Sequence, residues 1–537
     1  MAIRTLLVAN RGEIAVRIFR TCRELGIGTV AVVAPDDAGS LHARSADEVV
    51  PIESYLSAEE HVRAARESDA DAVHPGYGFL AESPDFAEAV EAAELVFVGP
   101  SGDALRQGGD KLAAKAIARA AGVPVVPEGE PAELGFPLVV KAAAGGGGRG
   151  MRVVRDPAEL DDALEAARRE ATAAFGDGRV FCERYVERPR HVEIQLLADT
   201  HANVVSLGER ECSIQRRHQK VLEESPSPAV DPPLRERMSE AAVAFASAIG
   251  YRSAGTAEFM VDGDEFWFLE LNGRIQVEHP VTELVTGLDL VADQLRIAEG
   301  DLATQSCKVD GHAVEVRLYA EDPRSFLPQA GRIERLRLPG GIRVDAGVEK
   351  GDEVPVSYDP MIAKLIAHGD TRSEALERLA NALDQTEVEG VTTNLPFLRW
   401  LVRHPSVRAG DTTTAFLVEH PPLSAPPARP TSRVWRGAFR LNLPPPPPLP
   451  PPDADASQGA PGGESVGSSV TAPMPGTVIR VLVSVGDAVA ARQPLVVLEA
   501  MKMETPLVSP YEATVRAVHV GEGDRVAGGA LLVELAE

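Results

Sequence analysis

Of the 42 prolines in this 537-residue chain, 14 lie between Pro421 and Pro461, five of them in the unbroken run Pro444 to Pro448. Each proline removes a backbone donor and fixes φ, so this stretch cannot belong to a packed helix or a central strand. The chain must fold as a long unit before it and a short unit after it. Proline runs favour stiff polyproline II at about 3.1 Å per residue, while Ser457 to Ser469 is rich in Gly and Ser and bends freely. Residues 443–469 therefore read as a tether combining reach with flexibility.

The short unit, 470–537, repeats itself. Residues 477–499 align with 514–536 at a constant offset, pairing Val478 with Val515, Val481 with Val518, Gly486-Asp487 with Gly523-Asp524, and Val489 with Val526. Short alternating apolar runs broken by Gly-Asp turns predict two interlocked antiparallel strand sets joined by an exposed hairpin. That hairpin, Glu499-Ala500-Met501-Lys502-Met503-Glu504, carries one lysine between two methionines. The pattern resembles the all-β biotinyl (lipoyl-like) domain of biotin-dependent carboxylases. Lipoyl domains of the same fold usually lack the flanking methionines. The resemblance implies biotin attached covalently to Lys502 by a biotin protein ligase.

Lys plus Arg total 54 against 80 for Asp plus Glu, a net charge of −26. That balance argues against an extended nucleic-acid or anionic-membrane surface. Cys22, Cys182, Cys212 and Cys307 are widely spaced and suggest neither a disulfide framework nor a zinc site. A reducing compartment fits them. The opening residues lead straight into a strand, and no long charge-free apolar run is present, so a cytoplasmic location is expected.

The long unit begins with an α/β pattern over 1–110. Thr5 to Ala9 is a short apolar run that gives way to a helical pattern with Ile14, Ile18, Cys22 and Leu25 on one face, and Thr29 to Ala34 reads as the next strand. Ala72 to Leu80 sets a strand against a glycine-rich loop, the usual ligand position at the carboxyl edge of a parallel sheet. From the residues alone, chain reversal and ligand binding explain these glycines equally. Ala9-Asn10-Arg11-Gly12-Glu13-Ile14-Ala15 and His74-Pro75-Gly76-Tyr77-Gly78-Phe79-Leu80 look like the two signatures of the biotin carboxylase amino-terminal domain.

Over 111–330 the pattern changes. Pro137 to Lys141 is a strand ending in a lysine, followed by the glycine-rich Ala142 to Met151 and a further strand-like run at Arg152-Val153-Val154. Gly145, Gly147 and Gly150 match G-x-G-x-x-G, but a dinucleotide fingerprint must open a helix, so the Rossmann reading is rejected for a hairpin lid. Such a lid brings backbone N–H groups close to phosphates, with Lys111 and Lys141 supplying charge. Downstream, Glu258 and Glu270 each lie in an apolar strand, and alternation leaves Glu270 and Asn272 on one face. Oxygen ligands on adjacent strands suit Mg²⁺.

Asn272 to Glu283 concentrates Arg, Gln, Glu and His. Together with Gln215 to Lys220 and Pro189 to Glu193, it resembles the ATP-grasp domain of biotin carboxylase, a likeness covering most of residues 1–440. The resemblance implies that Lys111, Lys141, Gly147, Gly148, Glu183, Arg184, Tyr185, Val186, His191 and His218 contact ATP. Glu258, Glu270 and Asn272 would hold Mg²⁺ or Mn²⁺. Lys220, Arg274, Gln276 and Val277 would bind bicarbonate, with Glu278 as general base and Arg317 facing the biotin ureido oxygen. Phosphorylating bicarbonate gives carboxyphosphate, which releases CO₂ beside its acceptor, so cations must gather where charge develops. Ala144 and Gly273 depart from many relatives; neither removes a chemical group.

Val354 to Leu365 and Gly390 to Asn394 resemble the carboxyl-terminal part of biotin carboxylase, expected over 331–442. Propionyl and methylcrotonyl types of acyl-CoA carboxylase α subunit usually insert a folded β-rich docking region before the carrier, and this chain has too little room for one. The expected fold is thus an α/β biotin carboxylase with an ATP-grasp domain, followed by the biotinyl domain. The resemblance implies an ATP-dependent carbon–nitrogen ligase, the α subunit of an acyl-CoA carboxylase. Its carboxylase part would form a homodimer, and a separate carboxyltransferase β subunit would receive the carboxyl group. The biotin carboxylase subunit of a split pyruvate carboxylase and a silent biotinylated scaffold are the rival readings.

Overall fold

The computed structural model describes residues 2–143, 151–175, 177–216, 219–303, 308–324, 326–355, 357–421, 469–472, 476–500, 503–526 and 529–536. The expected tether, Ala144, Gly147, Gly148, His218, Cys307 and Lys502 lie outside the described residues.

The first layer is a parallel sheet. Thr5–Val8 and Gly28–Val33 pair in parallel through the helix Gly12–Leu25, and Ala72–His74 pairs on the other side of the first strand. Together with Glu48–Pro51 and Val96–Phe97 they make five strands whose order reverses between Thr5–Val8 and Ala72–His74. Ile14, Ile18 and Cys22 are buried as the periodicity predicts, but Leu25 is 42% exposed. The helix ends there because Gly26 turns left-handed at φ 74° and donates back to the Arg23 and Cys22 carbonyls, which swings the last residue off the apolar stripe.

The second layer is an eight-stranded sheet, antiparallel at every pairing. Its order is Glu265–Asn272, Ser253–Asp262, Arg190–Ala198, Val204–Arg216, Gln219–Ser225, His312–Tyr319, Met361–Gly369 and Arg343–Ala346. Alternation gives its strands two characters. Val192, Ile194, Ala257, Phe259 and Phe268 pack with Phe245 and Met238 of the helix Pro232–Ala248, and the Phe245 and Phe268 ring centroids are 4.4 Å apart. The interleaved Glu193, Gln195, Thr256 and Glu258 are buried on the other face.

This sheet runs unbroken across residue 330, where the sequence suggested a boundary. His312–Tyr319 pairs with Met361–Gly369 from His312↔Gly369 to Tyr319↔Met361. Val314, Val316 and Leu318 share one core with Ile362, Leu365, Leu376 and Leu379. A smaller antiparallel sheet of Arg152–Val154, Leu138–Ala142 and Val180–Arg184 is backed by the helix Leu160–Phe175. Leu138 pairs with Val154 and Val140 with Arg152, so a strand and not a helix follows the glycine run.

The repeated unit folds as two four-stranded sheets. Its halves exchange strands: Gly476–Val481 pairs with Arg525–Val526, and Ala488–Val489 with Ala513–Val518. Equivalent bonds recur across the pseudo-twofold. Val478 N donates to Asp524 O at 2.8 Å and Val515 N to Asp487 O at 2.9 Å. Gly486 and Gly523 both take positive φ, 97° and 92°, at the Gly-Asp turns, where a side chain would be strained. Pro494–Ala500 and Met503–Val508 form a hairpin in which Ala500 pairs with Met503, flanking Met501 and Lys502. Among the described residues, no helix is long and apolar enough to cross a membrane.

Because the eight-stranded sheet spans residue 330, a fragment of residues 1–330 has only a minor part of one core and an open strand edge. It is expected to aggregate or lack a cooperative melt by circular dichroism, whereas residues 1–421 melt cooperatively. A soluble, cooperatively melting 1–330 fragment would contradict this.

Candidate active site

A cavity of about 1230 Å³ opens where the parallel sheet, the eight-stranded sheet and the small sheet face one another. Of the expected site residues, Lys111, Lys141, Arg184, Tyr185, Val186, His191, Lys220, Glu258, Glu270, Asn272, Arg274, Gln276, Val277, Glu278 and Arg317 all line it. The Glu183 side chain does not; it is fully buried beneath the lysines, 2.5 Å from Lys141 Nζ and paired with Lys115.

One end is cationic beside an apolar slot. Val139, Val153, Phe181, Met260 and Leu269 make walls of the kind that accept a flat ring. Lys111, Lys115 and Lys141 converge next to them. Burial pushes the Lys141 ammonium down to about 8, with Lys111 adding to the effect, and burial together with Lys141 pushes Lys115 down to about 7. The sequence reading missed Lys115. It follows Lys111 by one turn on the helix Lys111–Ala120, so helical spacing was the available signal.

The other end is built on facing strands. Glu258 is the register partner of both Glu270 and Glu193, and Arg210 is the next partner of Glu193. Lys220 Nζ reaches into this row, donating to Glu258 Oε1 at 2.9 Å, to Glu278 Oε1 at 2.6 Å and to Glu193. His191 Nε2 lies 3.0 Å from Glu258 Oε2. Asn272 Nδ2 donates to Glu258 Oε1 at 2.9 Å, while its Oδ1 accepts from Arg274 Nη2 at 2.9 Å. Arg274 also binds Gln276 Oε1 at 2.9 Å, and its Nε lies 3.1 Å from Glu82 Oε2. A Cβ on Gly273 would come within 2.6 Å of Leu105 Cδ2, so the leucine fills the space a side chain would need there.

Glu278 precedes the helix His279–Thr286, makes no side-chain cap to it and is fully buried. Burial alone would raise its carboxyl, but Lys220, Arg317 and Arg210 hold it below the ordinary carboxylate range. Arg317 Nη2 donates to Glu278 Oε2 at 3.0 Å, and its Nε donates to Glu223 Oε1 at 2.7 Å. Burial lifts the Glu223 carboxyl to about 7 against the pull of Arg317. Burial and then the Glu258 charge raise Glu270. A divalent cation between these two carboxylates would relieve that repulsion, so Glu258, Glu270 and Asn272 suit a hard metal ion with oxygen ligands. Glu82, Arg210 and Glu223 carry no motif of their own and were not read from sequence.

The loops lining the cavity are tied together. Asn10 Nδ2 donates to the Pro75 and Tyr77 carbonyls at 2.8 and 2.7 Å, joining the two amino-terminal signatures into one rim.

Four family models match the chain. Biotin carboxylase, N-terminal domain, matches residues 2–105; carbamoyl-phosphate synthase L chain, ATP binding domain, 110–305; biotin carboxylase C-terminal domain, 315–419; and biotin-requiring enzyme, 468–535. Biotin carboxylase of Halalkalibacterium halodurans is 48% identical over 439 residues, covering 77% of this chain and 97% of that protein. The human mitochondrial propionyl-CoA carboxylase alpha chain is 38% identical over 663 aligned positions, covering 99% of this chain and 91% of the relative. That alignment is longer than this chain, so the relative carries sequence this chain lacks.

Among solved structures, the Campylobacter jejuni biotin carboxylase complex has a TM-score of 0.76 at 40% identity, covering 78% of this chain and 99% of that one. The biotin carboxylase domain dimer of Hydrogenobacter thermophilus 2-oxoglutarate carboxylase, with MgADP and bicarbonate, has a TM-score of 0.76 at 43% identity, covering 78% and 98%. Rhizobium etli pyruvate carboxylase has a TM-score of 0.75 at 44% identity, covering 78% of this chain and 40% of that one. The chain belongs to the biotin carboxylase family, with a biotin-requiring domain fused behind the carboxylase.

Proposed function

We propose that this chain is the α subunit of an acyl-CoA carboxylase. It uses ATP to carboxylate biotin held on Lys502, and a separate carboxyltransferase β subunit then moves the carboxyl group to an acyl-CoA. The observation that carries this reading is one chain holding both the cation-and-carboxylate cavity and the strand-exchanged domain whose hairpin flanks Lys502. ATP, Mg²⁺ and bicarbonate are supported by the ATP-binding family match and by the relative solved with MgADP and bicarbonate, and biotin by the match to biotin-requiring enzymes.

Lys111, Lys115 and Lys141 hold the polyphosphate, with Val139, Val153 and Leu269 against the base. Glu258, Glu270 and Asn272 would hold Mg²⁺, which when bound neutralises charge between the nucleotide phosphates. Lys220, Arg274, Gln276 and Val277 bind bicarbonate. Glu278, kept ionised, takes the bicarbonate proton as the bicarbonate oxygen attacks the γ-phosphorus and ADP leaves. An incoming anion competes for Lys220 and Arg317, and sharing those cations raises the proton affinity of Glu278. Carboxyphosphate then splits into CO₂ and phosphate, and the phosphate takes the ureido N–H proton. Arg317 faces the ureido oxygen and holds the negative charge that gathers there.

The carrier requires a biotin protein ligase, and the dimeric Hydrogenobacter domain favours a homodimer of the carboxylase part. Cys22, Cys182 and Cys212 are buried free thiols, and a reducing cytoplasm suits them. A split pyruvate carboxylase is the second reading, favoured by the likeness to the Rhizobium enzyme. Co-purification separates the two: a crotonase-like partner supports the acyl-CoA reading, and a metal-dependent barrel partner overturns it.

Arg317→Ala should lower carboxyl transfer to biotin by about 100-fold or more while ATP still binds, as removal of a charge-stabilising donor does elsewhere. Near-normal transfer would remove Arg317 from the mechanism. Nucleotide binding should also take up protons. Free Lys115 and Lys141, at about 7 and about 8, are partly neutral at pH 8, and a polyanion beside them raises both values. Calorimetry in buffers of different ionisation enthalpy should show proton uptake on ATP binding at pH 8, reduced in Lys115→Met. Proton release, or none exchanged, would contradict the assignment.

A further inference from the structure

Lys364 sits mid-strand in Met361–Gly369 with 0% of its side chain exposed. A lysine so buried needs specific partners. Its Nζ donates to the Val277 carbonyl at 2.8 Å and lies 3.2 Å from Glu13 Oε1. Glu13 accepts a further hydrogen bond from the Tyr77 hydroxyl. Tyr77, Glu13 and Val277 line the cavity, and Lys364 lies behind them. Two segments far from it in sequence, at Glu13 and Val277, thus meet on one buried ammonium, and Tyr77 joins them through Glu13. In the sheet, Lys364 is the register partner of Arg317 on one side and Asp345 on the other.

We propose that Lys364 is a positioning residue for anion binding, fixing the peptide between Val277 and Glu278 and so setting the Gln276–Glu278 segment against bicarbonate. A trans peptide points its C=O and N–H in opposite directions. With the Val277 carbonyl turned back onto Lys364, the Glu278 N–H points away from the buried lysine. The ammonium also polarises that peptide, which strengthens its N–H as a donor to an anion. Because the carbonyl is tied to the strand that neighbours Arg317, the bicarbonate segment and the biotin-facing arginine keep a fixed separation. The proposal rests on the reading that Gln276 to Glu278 bind bicarbonate.

Lys364→Met keeps the side-chain length and removes the charge, leaving Glu13 without its cation. Glu13→Gln/Lys364→Met removes both charges, so no lone buried carboxylate remains to unfold the chain. On the full biotinylated chain, bicarbonate-dependent ATP hydrolysis should show KM for bicarbonate raised about tenfold or more in both variants, with KM for ATP within about twofold of wild type. An unchanged bicarbonate KM in the double variant overturns the proposal. So does a parallel rise of both KM values, or failure of both variants to give a native circular dichroism spectrum, since each assigns Lys364 to the fold alone. Wild-type hydrolysis that does not depend on bicarbonate would instead remove the underlying reading, and is seen without any variant.

Discussion

Glu270, Glu258 and Glu193 stand side by side on three adjacent antiparallel strands, and everything around the cavity answers to that row. Like charges directly opposite in a sheet repel, and here they are also buried. Lys220 reaches across from a fourth element to bind Glu193, Glu258 and Glu278, while Arg210, fully buried, closes the row by pairing with Glu193. Arg210 is held in turn by Gln195 at 2.6 Å, Thr282 at 2.9 Å and Thr256 at 3.0 Å. Removing Lys220 would leave three carboxylates without their shared cation. The polar face of the sheet is satisfied only as a complete network, while its opposite face packs against the helix Pro232–Ala248.

The cavity is consequently polarised along its length. At one end burial lowers Lys115 and Lys141, even though the Glu183 carboxylate is set directly against both. At the other end Glu270 is raised by burial and by Glu258. In the proposed function a nucleotide polyphosphate would complete the first end and a divalent cation the second, so the site would gain most from binding both together. Arg317 stands apart from this pair, shared between Glu223 and Glu278, and in the proposed reaction it would link the activation of one substrate to the acceptance of the other. Among the described residues, the strand-exchanged domain shows no such network. Its halves hold each other through backbone bonds and a small valine–leucine core, a design suited to a unit that travels.

Local pattern carried much of this into the sequence. The repeat around Lys502 was legible because each half encodes the same turn chemistry, and the structure answers with matched bonds at Asp487 and Asp524. The glycine run after Lys141 was legible as a hairpin because Arg152-Val153-Val154 is strand-like. Glu258 and Glu270 were legible because charge in an apolar strand demands a partner, and Asn272 because alternation puts it on the Glu270 face. Contacts between distant residues were not. Nothing near Lys364 signals Val277, and nothing near Arg210 signals Thr282. The boundary suggested at residue 330 follows a real change in pattern, yet strand pairing is non-local, so the continuous sheet through His312–Tyr319 could not be read along the chain. Leu25 fits its helical stripe but falls at the turn where Gly26 ends the helix.

In the proposed function one chain both makes the carboxyl group transferable and carries it. Incubating the purified, biotinylated chain with ATP, Mg²⁺ and ¹⁴C-bicarbonate, then counting protein-bound label in wild type and Lys502→Ala, tests this directly. Label is expected on wild type, dependent on ATP, and none on Lys502→Ala. A biotinylated wild type that neither splits ATP nor gains label would contradict it and leave a silent biotinylated scaffold.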